Sequence, residues 1–179
     1  MQAKDILHFW FKELTDKQHF AKDAALDDAI RTRFGQTLEA AMRCELFAWR
    51  ATPEGALAEI IVLDQFSRNI FRDQPSAFAQ DALALALAQV MVAHGQDQLL
   101  STLQRRFAYM PYMHSESALI HTQAVQLFAQ TGLENGLDFE LRHQAIIALF
   151  GRYPHRNALL GRTSSAEELA FLSEPGSSF

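Results

Sequence analysis

The sequence predicts an all-α protein, and three observations carry that expectation. Twenty-seven alanines and twenty-three leucines stand against only four valines; Ala and Leu are strong helix formers, and strands favour β-branched residues. Single Pro and Gly residues punctuate the chain at the spacing of helix starts and stops. Apolar residues recur at helical intervals in one segment after another. With 179 residues and no linker, low-complexity tract or composition seam, one domain over residues 1–179 is expected, burying roughly 70% of its unfolded surface. Seven to eight antiparallel helices with short loops fit that length.

A first helix is expected over about residues 4–14, with Ile6, Leu7, Trp10 and Phe11 on one side. Asp23 caps a second, whose apolar positions Leu26, Ile30, Phe34, Leu38 and Met42 keep helical spacing. Thr52-Pro53-Glu54 joins a cap, a proline at the first helical position and an acid in the positive first turn. That third helix runs to about Phe71. Ser76 caps a fourth, ending near His94 with Gly95 as its stop; its run Leu83-Ala84-Leu85-Ala86-Leu87 alternates like a strand but lacks β-branched support, and reads as a buried helix. Thr102 opens a helix that Pro111 disrupts, Ser115 caps one ending at Gly132, and Asp138 caps one ending at Gly151. A last helix starts at Ser164 or Ser165, each followed three residues later by a glutamate in capping-box spacing. A regular 34-residue tetratricopeptide repeat is absent.

Composition also excludes function classes. A net charge of −5 argues against nucleic-acid partners, which require a basic surface. The single cysteine, Cys44, excludes an internal disulfide framework and a cysteine-rich zinc site; in a helical stretch beside Met42 and Leu46 it reads as a packing residue. No apolar run is expected to span a membrane, and the charged start with Trp10 is not a signal peptide. The expectation is a cytoplasmic domain without membrane or nucleic-acid partner.

The polar residues out of place begin on the third helix. At about 100° per residue with Leu57 at 0°, Ile60 falls near 300° and Ile61 near 40°, a core-facing stripe. The same stripe then carries Asp64 near 340° and Arg68 near 20°, while Arg72, Gln65 and Asn69 spread over about 60–120°. Phe66 and Ile70 sit opposite, near 180–220°. Either the helix end emerges into solvent with an ordinary Asp64–Arg68 pair, or these residues line a cavity. A second cluster surrounds Pro111: Arg105, Arg106, Tyr109, Tyr112, His114, Ser115 and Glu116. His114 is a proton-transfer candidate, since unperturbed imidazole titrates near neutrality. Ser115 and Glu116 also fit a plain helix start. A third stretch, from Leu141 to Ala166, holds no acid but has Arg142, Arg152, Arg156 and Arg162 with His143 and His155. Arginine's planar fork suits carboxylate or phosphate; the same arginines also suit helix C-termini. HExxH, P-loop, GxSxG and GxGxxG signatures are missing. No cofactor is expected, and a metal site would need His114, Glu116, Asp64 and His155 to converge from separate segments.

These segments resemble a known family. Leu63-Asp64-Gln65-Phe66-Ser67-Arg68-Asn69, Tyr109-Met110-Pro111-Tyr112-Met113-His114-Ser115-Glu116 and Phe150-Gly151-Arg152-Tyr153-Pro154-His155-Arg156-Asn157 are similar to motifs of the bacterial domain-of-unknown-function family 924. So are Ile6-Leu7-His8-Phe9-Trp10-Phe11 near the start and Glu167 to Leu172 with Glu174 to Phe179 at the end. Ser67 stands where the family motif often has proline, and Gln144-Ala145 replaces a more polar pair. The resemblance implies a tetratricopeptide-like helical fold without regular repeats, and no established activity.

The leading functional expectation is a pocket for a small anion or an acidic peptide end, combining Asp64, Gln65, Arg68, Asn69, Arg72, His114, Arg152, His155 and Arg156. An alternative is a hydrolase or transferase in the same pocket, with His114 or His155 as acid–base and Asp64 or Glu116 orienting it. A third is a protein-interaction scaffold, supported by fold analogy alone.

Overall fold

A computed structural model of the chain describes residues 1–177, and every regular element among them is helical. Helix α1 (Ala3–His8) runs into a π turn (Phe9–Glu13); α2 (Asp16–Phe20) and α3 (Ala24–Met42) follow. Helix α4 (Pro53–Ile61) passes through a second π turn (Val62–Phe66) into α5 (Ser67–Ile70). Then come α6 (Asp81–Ala93), α7 (Thr102–Met113), α8 (Ala118–Phe128), α9 (Glu134–Phe150) and α10 (Ala166–Leu172). With α4 to α5 read as one helix there are nine runs among the described residues, one above the expected range. The addition is α2, too short to show a periodicity; the Thr15 amide donates to Gln18 Oε1 at 3.0 Å to open it.

Several expected boundaries hold for their expected reasons. Asp23 accepts from the amides of Ala25 and Leu26, Thr52 from that of Gly55, and Ser165 from that of Glu168. Gly95 and Gly151 follow α6 and α9 with φ of 66° and 69°, where an L side chain would be strained. Others shift. A 3₁₀ turn (Pro75–Phe78) precedes α6, so Ser76 does not cap it. Thr102 opens α7 as expected, with Ser101 as its cap, but Pro111 lies inside the last turn, where little helix remains to disrupt. Helix α8 starts after Ser117, whose amide donates to Ser115 Oγ, and α9 starts at Glu134, ahead of Asp138.

The centre of the molecule is α4 with its π turn: every residue from Gly55 to Ser67 is buried. A helix with apolar residues on every side belongs in the middle of the bundle, and the buried Glu59 of α4 is paired with Arg50. Helix α4 packs against α1, α6 and α7, while α3 covers the π turn and α5. Phe66 meets Phe34 with ring centroids 5.0 Å apart, and Trp10 meets Phe107 edge-on at 5.6 Å. Helix α6, expected to be buried, is not central: Ala84, Ala88 and Met91 face the core, while Ala86 and Val90 are exposed. An Ala-rich outer face loses little by meeting water, so composition overstated its burial. By length and composition Pro75–Ala93 is also apolar enough to cross a membrane, contrary to the expectation from the sequence; here it packs on α4 and α7. Cys44 is exposed with φ of 58°, not a packing residue, because α3 has already ended at Met42.

Helices α8 and α9 close one flank of the bundle. A Cβ at Gly136 would fall 2.7 Å from the Phe128 ring, so only glycine permits this approach. A smaller apolar cluster of Ile146, Ile147 and Tyr153, with Phe150 and Phe171, ties the C-terminal segment to α9.

Candidate functional site

Two backbone irregularities meet in the core. The π turn at Val62–Phe66 carries Asp64 and Gln65, and His114 is the residue that ends α7, three after Pro111. A π turn takes more residues per turn than an α-helix. Phe66 and Ile70, which the helical wheel draws opposite the core stripe, are both buried as well, because neighbours enclose this central helix on every side.

Asp64 is 1% exposed and receives a converging set of donors. His114 Nδ1 lies 2.7 Å from Asp64 Oδ1, Gln65 Nε2 donates to Oδ2 at 2.5 Å, and Arg68 Nη1 donates to Oδ1 at 3.2 Å. Burial alone would raise the Asp64 pKa, but His114, Arg68 and the Gln65 hydrogen bond draw it well below the usual carboxylate range. Burial and the Arg68 charge lower the pKa of His114 against the pull of Asp64. A neutral imidazole beside an ionised carboxylate carries its proton on Nδ1 and donates it there. Nε2 then has no hydrogen-bond partner among the described residues, on a side chain that lines a cavity of about 600 Å³.

Arg68 also makes a bidentate pair with Asp81, at 2.9 and 3.1 Å, and Arg156 donates to the same carboxylate at 3.1 Å. Arg156 further donates to the His114 carbonyl at 3.0 Å, and its guanidinium lies 4.6 Å from the ring centroids of both Phe78 and Tyr153. Burial lowers its pKa, with Asp81 opposing. Two arginines thus share one acid and keep further N–H groups for other partners.

Of the expected site residues, the structure brings Gln65, Arg68, Asn69, Arg72, His114, His155 and Arg156 to the cavity wall, with Asp64 behind His114. Asn69 and Arg72 are held by Asp27, through a 2.8 Å bond and a bidentate pair. Burial draws the pKa of His155 down to about 4, with Arg156 reinforcing it. Besides Asp64, two expected residues do not line the cavity. Arg152 is paired with Glu168 at 2.7 and 2.8 Å and donates to the Thr163 carbonyl. Glu116 accepts from Arg162 at 2.6 and 2.9 Å and from the Tyr153 amide. Among the described residues, no three His, Cys, Asp or Glu side chains come together as a metal site.

Sequence reasoning passed over three residues here. Asp81 carried no signal, being 13 and 75 positions from its two arginines. Lys22 and Arg106 both line the cavity, although Arg106 was noted only as part of the Pro111 cluster. The Arg106 guanidinium lies 4.7 Å from the centroid of the Phe20 ring. It has no hydrogen-bond or salt-bridge partner among the described residues, and burial lowers its pKa against the attraction of Asp16.

The chain matches, over residues 6–176, a family model described as bacterial protein of unknown function (DUF924). It is similar to the solved structure of a protein of unknown function from Agrobacterium tumefaciens, with 37% identity, 96% of each chain covered and a TM-score of 0.91. No curated protein matches it. Membership follows from a match over nearly the whole chain: the protein belongs to the bacterial DUF924 family.

Proposed function

We propose that the cavity binds a small organic anion with an apolar body, its carboxylate or phosphate read by Arg106. One observation carries this: Arg106 lines the cavity, half-buried, without an acid or carbonyl to accept its hydrogen bonds among the described residues. A half-buried guanidinium that no protein acceptor occupies is free to take an anion, whose charge-assisted hydrogen bonds are among the stronger ones. Lys22 adds a second cation, and Met110, Phe128 and Phe139 supply an apolar wall. Most drug-sized ligand sites combine such a wall with a few placed polar groups. An acidic peptide end would present the same chemistry. A cytoplasmic location suits such a ligand and a chain with one cysteine. The scaffold alternative has only the resemblance of fold behind it, whereas catalysis is favoured by the Asp64–His114 pair.

Thermal melts of the protein against phosphate, acetate, succinate, benzoate, nucleotides, acidic dipeptides and divalent metals test the reading. A ligand at 100 times its Kd stabilises by about 2.7 kcal/mol, a shift of roughly 5–10 °C at this size. The expected result is a shift with organic anions that Arg106→Ala abolishes. No shift with any anion, or one that Arg106→Ala leaves intact, overturns it. Small carboxylates acting alone separate a metabolite pocket from a peptide-end site.

A further inference from the structure

We infer that the cavity is also a hydrolytic site, in which His114, oriented by Asp64, acts as general base on a water that attacks an ester of the bound anion. The inference rests on the anion-binding reading and adds chemistry to it. Two other histidines on the cavity wall, His19 and His143, each spend a ring nitrogen on a backbone carbonyl, that of Trp10 or Phe139. His114 instead has a buried carboxylate 2.7 Å behind Nδ1, which fixes the tautomer and leaves Nε2 with its lone pair available. No Ser, Thr or Cys lines the cavity among the described residues, so the nucleophile is water. Arg68 shares the Asp64 oxygen that His114 uses, which places its guanidinium beside the imidazole.

The step balances with water as the only co-reactant. His114 Nε2 takes a proton from water as its oxygen bonds to the acyl carbon, and the carbonyl π pair moves onto the oxygen facing Arg68. The carbonyl then re-forms, the bond to the alcohol oxygen breaks, and that oxygen takes the proton from Nε2. Ester and water become acid and alcohol. Asp64 is a positioning residue that holds the ring and receives no proton. Its aim depends on the π turn, and such turns are frequent at functional sites.

The test uses the full chain with two activated esters, 4-nitrophenyl hydrogen succinate (anionic) and 4-nitrophenyl acetate (neutral). The expected outcome is hydrolysis of the succinate ester well above that by equimolar free imidazole, at least tenfold preferred over the acetate ester. Positioned general bases contribute about 100-fold or more, so His114→Gln loses about that factor, and Arg106→Ala removes the preference for the anionic ester. In the ¹⁵N NMR spectrum of histidine-labelled protein, His114 carries its proton on Nδ1 at pH 7, and Asp64→Asn weakens that tautomer preference. A wild-type rate no better than free imidazole overturns the inference. So does a folded His114→Gln with the wild-type rate, or a proton found on Nε2, a readout that needs no variant. Succinate that stabilises the protein while its ester survives removes hydrolysis and leaves binding. Failure of both removes both.

Discussion

Two hydrogen-bonded histidine–carboxylate pairs lie inside this molecule among the described residues, nearly identical in length and opposite in setting. Asp64–His114 is 2.7 Å long and stands at the cavity wall, with Arg68 beside it and one imidazole nitrogen without a partner among the described residues. Glu140–His121 is 2.6 Å long and fully buried, with no arginine on it among the described residues. His121 Nε2 donates to the Ser115 carbonyl at 2.8 Å and lies 3.2 Å from the Tyr153 hydroxyl, so both its nitrogens are used. Burial, opposed by His121, raises the pKa of Glu140. The difference shows that the pair alone does not make a reactive group. What counts is whether the second ring nitrogen is spent on the protein.

The largest expected effect sharpens that contrast. Glu140→Ala strips the partner from a buried His121 and should cost about 3–5 kcal/mol in a urea titration, as broken buried pairs do. The acid limb comes next. His143 and His155, on the cavity side, are drawn by burial to about 3 and about 4. An unfolded histidine takes its proton near pH 6.5, so the stability these residues contribute is complete above that pH. It is lost as pH falls through 6.5 towards 4 and 3. On the order of 2–3 kcal/mol per histidine should disappear between pH 6.5 and 4, and a folded His143→Gln variant should show a shallower slope over that window. The smallest effect is at the cavity pair. His114→Gln should cost only about 1 kcal/mol, because Gln65 and Arg68 still satisfy Asp64. Equal losses at the two pairs would erase the distinction between them.

Local chemistry was the legible part of this sequence. The caps at Asp23, Thr52 and Ser165 and the stops at Gly95 and Gly151 are written in neighbouring residues, and they occur as read. The turn from apolar to polar on the third helix likewise marked Asp64 and Arg68 as residues facing inward. What a wheel misses is how many neighbours a helix has: this one is enclosed on every side, so Phe66 and Ile70, opposite the stripe, are buried too. Partner choice was also illegible. Arg152 looked as suited to an anion as Arg156, yet Glu168 lies within its reach and saturates it. Arg106 gave the opposite error: a residue is recognisable as uncommitted only when its whole neighbourhood is known.

Because the π turn at Val62–Phe66 closes i→i+5 rather than i→i+4, it holds one residue more than an α turn would. That surplus is a unit of length the chain can give up without any loop to absorb the change. Deleting one in-frame codon within this stretch restores an ordinary helix, and the flanking turns keep the faces they now present. The codon would come from the segment that aims Asp64 at His114, and it would have to spare Phe66, which packs on Trp10 and Phe34. A single genetic event of this kind would therefore change the aim of Asp64 while leaving the flanking helical turns in phase.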